Sequence, residues 1–231
     1  MGSIKTALQD AFQRIDAAAR AVGRDSATIR LVAVSKTFRA EAIREAWAAG
    51  QRAFGENYVQ EAIGKIEACA DLAGIEWHLI GPLQSNKARP VAERFAWAHT
   101  LDRLRVAERL AAARPDGMPA LQACIQVNIS GEETKSGVAP GEALALARAV
   151  LALPRLRLRG FMGIAEATGD PDRQRAQFAV LRQLLEAARR EGLALDTLSM
   201  GMSGDLEAAI AEGATIVRLG TAVFGQRGRG A

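Results

Sequence analysis

The sequence predicts an α/β fold, a single closed (β/α)8 barrel, on three observations. Its 231 residues suit one such barrel, and no Ser/Pro/Gly-rich linker or low-complexity stretch divides them. Eight short apolar runs alternate with helix-period segments at fairly regular spacing, the pattern of repeated βα units. The rival architecture, an open doubly wound sheet, lacks its G-x-G-x-x-G fingerprint after the first strand.

Taken in order, a first helix is expected over residues 3–22, stopped by Gly23. Leu31-Val32-Ala33-Val34 follows as a strand buried on both faces and reaching Ser35. A helix over residues 40–49 ends at Gly50, and a short strand, Arg52-Ala53-Phe54, reaches Gly55, with a helix starting near Glu56. The third strand is Trp77-His78-Leu79-Ile80, closed by Gly81-Pro82, and the fourth is Trp97-Ala98-His99-Thr100. The fifth and longest covers residues 123–129, with a polar loop over residues 130–137 of the kind that often carries function. The sixth covers residues 158–164. Asp170 then reads as an N-cap with Pro171 at the first helical position, and Phe178, Leu181, Leu185 and Ala188 form one inward stripe before Gly192. Strand seven is Thr197-Leu198-Ser199-Met200 and strand eight covers residues 215–219, which leaves room for one domain over residues 1–231 and a flexible Gly/Arg tail at 226–231.

Composition narrows the function classes. The formal charge is +4, but the arginines are spread along helical segments (Arg103, Arg105, Arg109; Arg182, Arg189, Arg190) and aromatics make up only 5%. A nucleic-acid surface would show a concentrated basic stripe with stacking rings, so no nucleic-acid partner is expected. Cys69 and Cys124 stand far apart, without a disulfide framework or a C-x-x-C motif, and a reducing cytoplasm fits. No run approaches the roughly 20 apolar residues of a spanning helix, and no membrane partner is expected. The match of Met1-Gly2-Ser3-Ile4-Lys5-Thr6 to the loose myristoylation pattern is read as coincidence. The two histidines and two cysteines have no ligand spacing, so no metal is expected.

A barrel brings the carboxyl ends of its strands to one mouth, here Lys36, Asn57, His78, Asn128, Met162, Ser199 and Arg218. A strand-end lysine partly withdrawn from water can form a Schiff base with an aldehyde, although most such lysines are solvated or ion-paired. Residues 199–205 leave strand seven and open a helix whose amides and hydroxyl can hold an anion; Arg218-Leu219-Gly220-Thr221 lies beside them. From local sequence the balance is even: Ser203 can bind phosphate or cap its helix, and Gly220 can approach a ligand or turn the chain. Taken alone, His78 reads more readily as a core histidine, His99 has no obvious partner, and Glu56 and Asn57 read as first-turn acid and cap.

With these segments in place the chain closely resembles the pyridoxal phosphate (PLP) homeostasis protein family, relatives of the alanine racemase N-terminal domain, a TIM barrel. The likeness covers nearly the whole length. It rests on Ala33-Val34-Ser35-Lys36-Thr37, on Phe54-Gly55-Glu56-Asn57-Tyr58-Val59-Gln60-Glu61, and on Trp77-His78-Leu79-Ile80-Gly81-Pro82-Leu83-Gln84-Ser85-Asn86-Lys87. It continues through Val127-Asn128-Ile129 with Lys135-Ser136-Gly137, Leu198-Ser199-Met200-Gly201-Met202-Ser203 and Val217-Arg218-Leu219-Gly220-Thr221-Ala222-Val223-Phe224-Gly225. The resemblance implies PLP as cofactor, held as a Schiff base on Lys36. Ser203, Gly220 and Thr221 are implied as phosphate ligands, Arg218 as the group facing the pyridine nitrogen, and Asn57, His78, Ser199 and Met202 as further cofactor contacts. Ile164-Ala165 stands where family members often have a proline at the end of strand six.

Two function classes follow: a carrier that buffers PLP and delivers it to apo-enzymes, or a PLP enzyme, most plausibly an amino-acid racemase. A PLP-free Schiff-base aldolase is a third, since sugar phosphates suit the same pocket. The carrier is preferred. A guanidinium only donates hydrogen bonds, so Arg218 should keep the ring nitrogen unprotonated and a weak electron sink. The only tyrosine, Tyr58, belongs to the matched barrel segment rather than to a second acid/base domain. The expected state is a cytoplasmic monomer that meets apo-enzymes transiently, with no catalytic residues and with Lys87 and Lys135 as candidate second docking points for PLP.

Overall fold

The computed structural model describes residues 3–132 and 135–225. Met1 and Gly2 of the myristoylation-like start, two residues of the 130–137 loop and the tail expected at 226–231 lie outside the described residues. Eight parallel strands close in chain order: β1 (Arg30–Val34), β2 (Ala53–Glu56), β3 (Glu76–Leu79), β4 (Trp97–Leu101), β5 (Leu121–Gln126), β6 (Leu156–Met162), β7 (Thr197–Ser199) and β8 (Ile216–Leu219). β8 pairs back onto β1, with Val32 opposite Arg218, and completes the expected barrel. The helices α1 (Ile4–Ala21), α2 (Ala40–Ala48), α3 (Val59–Ala68), α4 (Ala88–Arg94), α5 (Leu104–Ala113), α6 (Ala143–Leu151), α7 (Pro171–Arg190), α8 (Leu206–Ala211) and α9 (Thr221–Phe224) follow the chain around it.

Local chemistry sets the element ends. Ser3 Oγ accepts the Thr6 amide at 3.2 Å and starts α1, whose buried stripe is Leu8, Ala11, Ile15 and Ala18. Asp170 accepts the Asp172 and Arg173 amides and starts α7, with Pro171 first and Phe178, Leu181, Leu185 and Ala188 turned inward. Both helices match their sequence signals.

Several boundaries differ from expectation, and three of them have a clear physical cause. Glu56 ends β2 and α3 begins only at Val59, because the Glu56 side chain is buried among partners and is not a solvated first-turn acid. β5 stops at Gln126: Val127 makes a single bridge to Val138, and Ile129 is buried without ladder pairing, so the apolar run outlasts the strand. β6 starts at Leu156, since Arg157 and Arg159 belong to the strand and Arg159 pairs with Asp196.

The core has two parts. One lies between the sheet and the helices; the other, Val32, Ala53, Trp97, Cys124, Met162 and Ile216, fills the barrel interior. Met162, expected at the mouth, is a fully buried part of this interior filling. Burial raises the Cys124 thiol to about 12, so it stays protonated and inert. Among the described residues no helix is long and apolar enough to cross a membrane, and no three His, Cys, Asp or Glu side chains group as metal ligands.

Candidate functional site

The carboxyl end of β1 continues into Ser35-Lys36-Thr37, and this turn is strapped to α3. Lys65, only 6% exposed, donates to the Ser35 carbonyl at 2.7 Å and to Glu56 Oε1 at 2.8 Å, and it also pairs with Glu61. Ser35 Oγ donates to Glu56 Oε1 at 2.6 Å, and the Thr37 amide donates to Glu61. Burial pushes the Glu56 carboxyl up, while Lys65 and Ser35 pull it back toward the ionised form. Thr37 sits at φ +68°, a left-handed conformation unusual for a β-branched residue, directly after the partly buried Lys36. The strap therefore fixes the backbone that presents Lys36. Sequence reasoning missed Lys65 and Glu61; the available signal was a lysine sharing the helix face of Val59 and Ala62.

On the neighbouring side, the β7–α8 loop and the β8–α9 turn converge. Ser203 does not cap α8: Asp205 occupies the N-cap position and accepts the Met202 amide, while Arg14 of α1 holds the Ser203 carbonyl at 2.8 Å. Gly220 stands at the N-cap position of α9, followed by exposed Thr221. A Cβ on Gly220 would lie 3.4 Å from both the Val34 carbonyl oxygen and the Val34 Cβ, ordinary contact distance, which shows that the end of β8 turns against the tip of β1. Phe38, just beyond Lys36, and Phe224 of α9 pack as a tilted pair with ring centroids 5.0 Å apart, tying the lysine turn to the Gly220–Thr221 turn. Met202 is 37% exposed at the rim.

Beneath the mouth lies a buried polar row. Arg218 Nη1 donates to Ser199 Oγ at 2.8 Å and Nη2 donates to the Gly163 carbonyl at 3.1 Å. Ser199 Oγ is 2.8 Å from His99 Nδ1, and His99 Nε2 is 2.9 Å from His78 Nδ1. Burial lowers Arg218 to about 10, which leaves it cationic at neutral pH. Burial, reinforced by nearby positive charge, lowers His99 to about 3 and His78 well below its usual range, so both rings are neutral. His99, without a partner in the sequence, has two. His78 stacks on Trp97 at 5.4 Å between centroids, the packing of a core histidine.

A cavity of about 310 Å³ opens beside this row, lined by Asn57, Ile80, Gln126, Asn128, Lys135 and Ile164 among others. Asn128 organises the loop beyond β5: its Nδ2 donates to the Glu132 carbonyl at 2.8 Å and its Oδ1 accepts from Ser130 and Gly131. Lys135 pairs with Glu132 on this wall, whereas Lys87 ends a short 3-10 turn away from the cavity lining. Asn57 is pinned by the close passage of Gly81.

The donor set is thus an amine, a buried cation, hydroxyls and helix-start amides around one mouth. The family model for the alanine racemase N-terminal domain matches residues 8–228. A pyridoxal phosphate homeostasis protein of Pseudomonas aeruginosa is 58% identical over 231 residues, covering 100% of this chain and 99% of the relative. The chain belongs to the pyridoxal phosphate homeostasis protein family. The protein of that name from Escherichia coli K12 is 53% identical, over 98% of each chain. Among solved structures, PipY of Synechococcus elongatus PCC7942 with PLP bound is 41% identical with a TM-score of 0.79, covering 86% of this chain and 93% of PipY. The family expected from the motifs and the barrel expected from the strand pattern are both borne out.

Proposed function

We propose that this chain is a PLP-binding homeostasis protein that holds the cofactor on Lys36 and releases it to apo-enzymes without appreciable catalysis. The observation that carries the reading is the meeting, at one mouth, of the strapped Lys36 turn, the Ser203 and Gly220–Thr221 turns, and the Arg218 cation. When bound, PLP supplies an aldehyde with which a lysine amine condenses, water leaving. The chain's own groups suit that ligand. Lys36 offers the amine, Ser203 and Thr221 offer hydroxyls, the start of α9 offers amides for a phosphate, and Arg218 offers donors to a ring nitrogen. Asn57, at the β2 end, and Met202, at the β7 end, would be further contacts for the group, while Ser199 supports Arg218 and the buried His78 would act through His99.

The non-catalytic part rests on two features. A cation such as Arg218 facing the ring nitrogen would discourage carbanion chemistry, where a carboxyl partner would favour it. Tyr58, the only tyrosine, is 58% exposed next to α3 and is not part of the buried polar row. A cytoplasmic monomer meeting apo-enzymes transiently completes the proposal. It is tested by loading the purified chain with PLP, mixing it with an apo-enzyme, and separately assaying alanine racemisation. Activation of the apo-enzyme with no racemisation is expected; racemisation that is lost in Lys36→Ala would make the protein a racemase.

A further inference from the structure

The polar row under the mouth contains more order than cofactor binding alone requires. His78, His99 and Ser199 are fully buried and Arg218 is 4% exposed, so their polar atoms have only protein groups to pair with. The row continues downward: His78 Nε2 has no hydrogen-bond partner among the described residues, lies 3.9 Å from Glu76 Oε2, and Glu76 Oε1 in turn accepts from Arg30 at 2.6 Å.

A neutral imidazole carries one N–H, and a guanidinium only donates. Two directions for the row are then possible. In the first, Ser199 accepts from Arg218 and donates to His99 Nδ1, His99 Nε2–H donates to His78 Nδ1, and His78 Nε2–H faces the Glu76 carboxylate. In the second, Ser199 accepts from both Arg218 and His99, its own proton has no partner in the row, and the bare lone pair of His78 Nε2 faces the carboxylate. The second leaves a buried hydroxyl proton unmatched and sets like charge against like. The first satisfies every link from Arg218 to His78 and points every positive end away from the Arg218 cation, with the His78 Nε2–H turned toward the Glu76 anion at 3.9 Å.

We infer that His99 and Ser199 are positioning residues for Arg218, holding its guanidinium in one orientation through this one-way chain, with His78 and Glu76 setting the direction. Arg218 is tied at Nη1 by Ser199 and at Nη2 by the Gly163 carbonyl, two fixed points that define the plane of the group. Its remaining donors are then aimed rather than free to rotate, which spares a bound ligand the cost of ordering them. That these donors serve a ring nitrogen rests on the cofactor reading above; the chain itself does not.

The two parts are separable by experiment. The sequence has only two histidines, so long-range proton–nitrogen correlation NMR on the isotope-labelled full chain, without added PLP, reads both tautomers directly. Both rings are expected to be protonated at Nε2 and bare at Nδ1; a proton on His99 Nδ1 would overturn the inference whatever the ligand. The second arm titrates PLP into His99→Leu and His99→Gln. Leucine ends the chain, whereas glutamine keeps one acceptor and one donor. Folded His99→Leu is expected to bind PLP about tenfold more weakly, with a displaced near-visible absorption band. His99→Gln is expected to restore affinity and band together. Wild-type affinity and spectrum in His99→Leu would refute the positioning role. If His99→Leu does not fold, Ser199→Ala is read the same way. Failure of the wild-type chain to take up PLP would count against the cofactor reading alone, with the tautomers still deciding the chain.

Discussion

Single buried charges decide how this mouth is held. Lys65 satisfies Glu56, Glu61 and the Ser35 carbonyl at once, so replacing it leaves a buried carboxylate without its cation. Lys65→Met is expected to cost about 3 kcal/mol in urea unfolding, the usual size for breaking a buried pair, and to weaken PLP uptake through the Lys36 turn. A stability change under about 0.5 kcal/mol would show that the strap is incidental. The histidines give a pH signature. His99 is lowered from 6.5 to about 3, and His78 is lowered as well, so below neutrality the unfolded chain binds more protons than the folded one. The His99 contribution is therefore full above about pH 6.5 and falls as pH drops toward about 3, by up to roughly 1.4 kcal/mol per pH unit, and His78 acts in the same direction. Urea unfolding at about pH 8 and about pH 5 should show the loss in the wild type and a shallower one in His99→Gln. Equal slopes would mean that His99 is charged in the folded protein.

At the scale of elements, the barrel depends on close backbone passages that only glycine permits. A Cβ on Gly81 would sit 2.2 Å from the Asn57 carbonyl oxygen, so Gly81→Ala must push apart the loops after β2 and β3. The variant is expected to lose about 2 kcal/mol or more of stability and to bind PLP more weakly; unchanged binding would remove Asn57 from the site. Elements were legible where signals were local. The Asp170-Pro171 start of α7 and its four-residue apolar stripe appear as read, and α1 appears within the expected span with Ser3 as its cap rather than its first helical residue. Strand ends were less legible, because apolar character reports burial and not ladder pairing: Val127 and Ile129 are buried beyond the end of β5, while Leu156 and Arg157 lie inside β6 ahead of its expected start. Glu56 was misread for the same reason, since an acid after a glycine looks like a helix start until its buried lysine partner is placed.

For the whole molecule, closure of β8 onto β1 brings Arg218 and Gly220 beside the strand that carries Lys36, although 182 positions separate Lys36 from Arg218 in the chain. The mouth was therefore legible from the fold class, and the turns at Lys36 and at Gly220–Thr221 stand at the strand ends where the strand pattern puts them. The support beneath was not: His78 meets His99, and His99 meets Ser199 across 100 positions, through contacts that no local pattern encodes. The central claim is that Lys36 carries the cofactor. It is tested most directly by loading the protein with PLP, reducing with borohydride, and mapping the modified peptide by mass spectrometry. A pyridoxyl adduct on Lys36, absent in Lys36→Ala, is the expected result; an adduct on another lysine with Lys36 unmodified, or no adduct at all, would contradict the account.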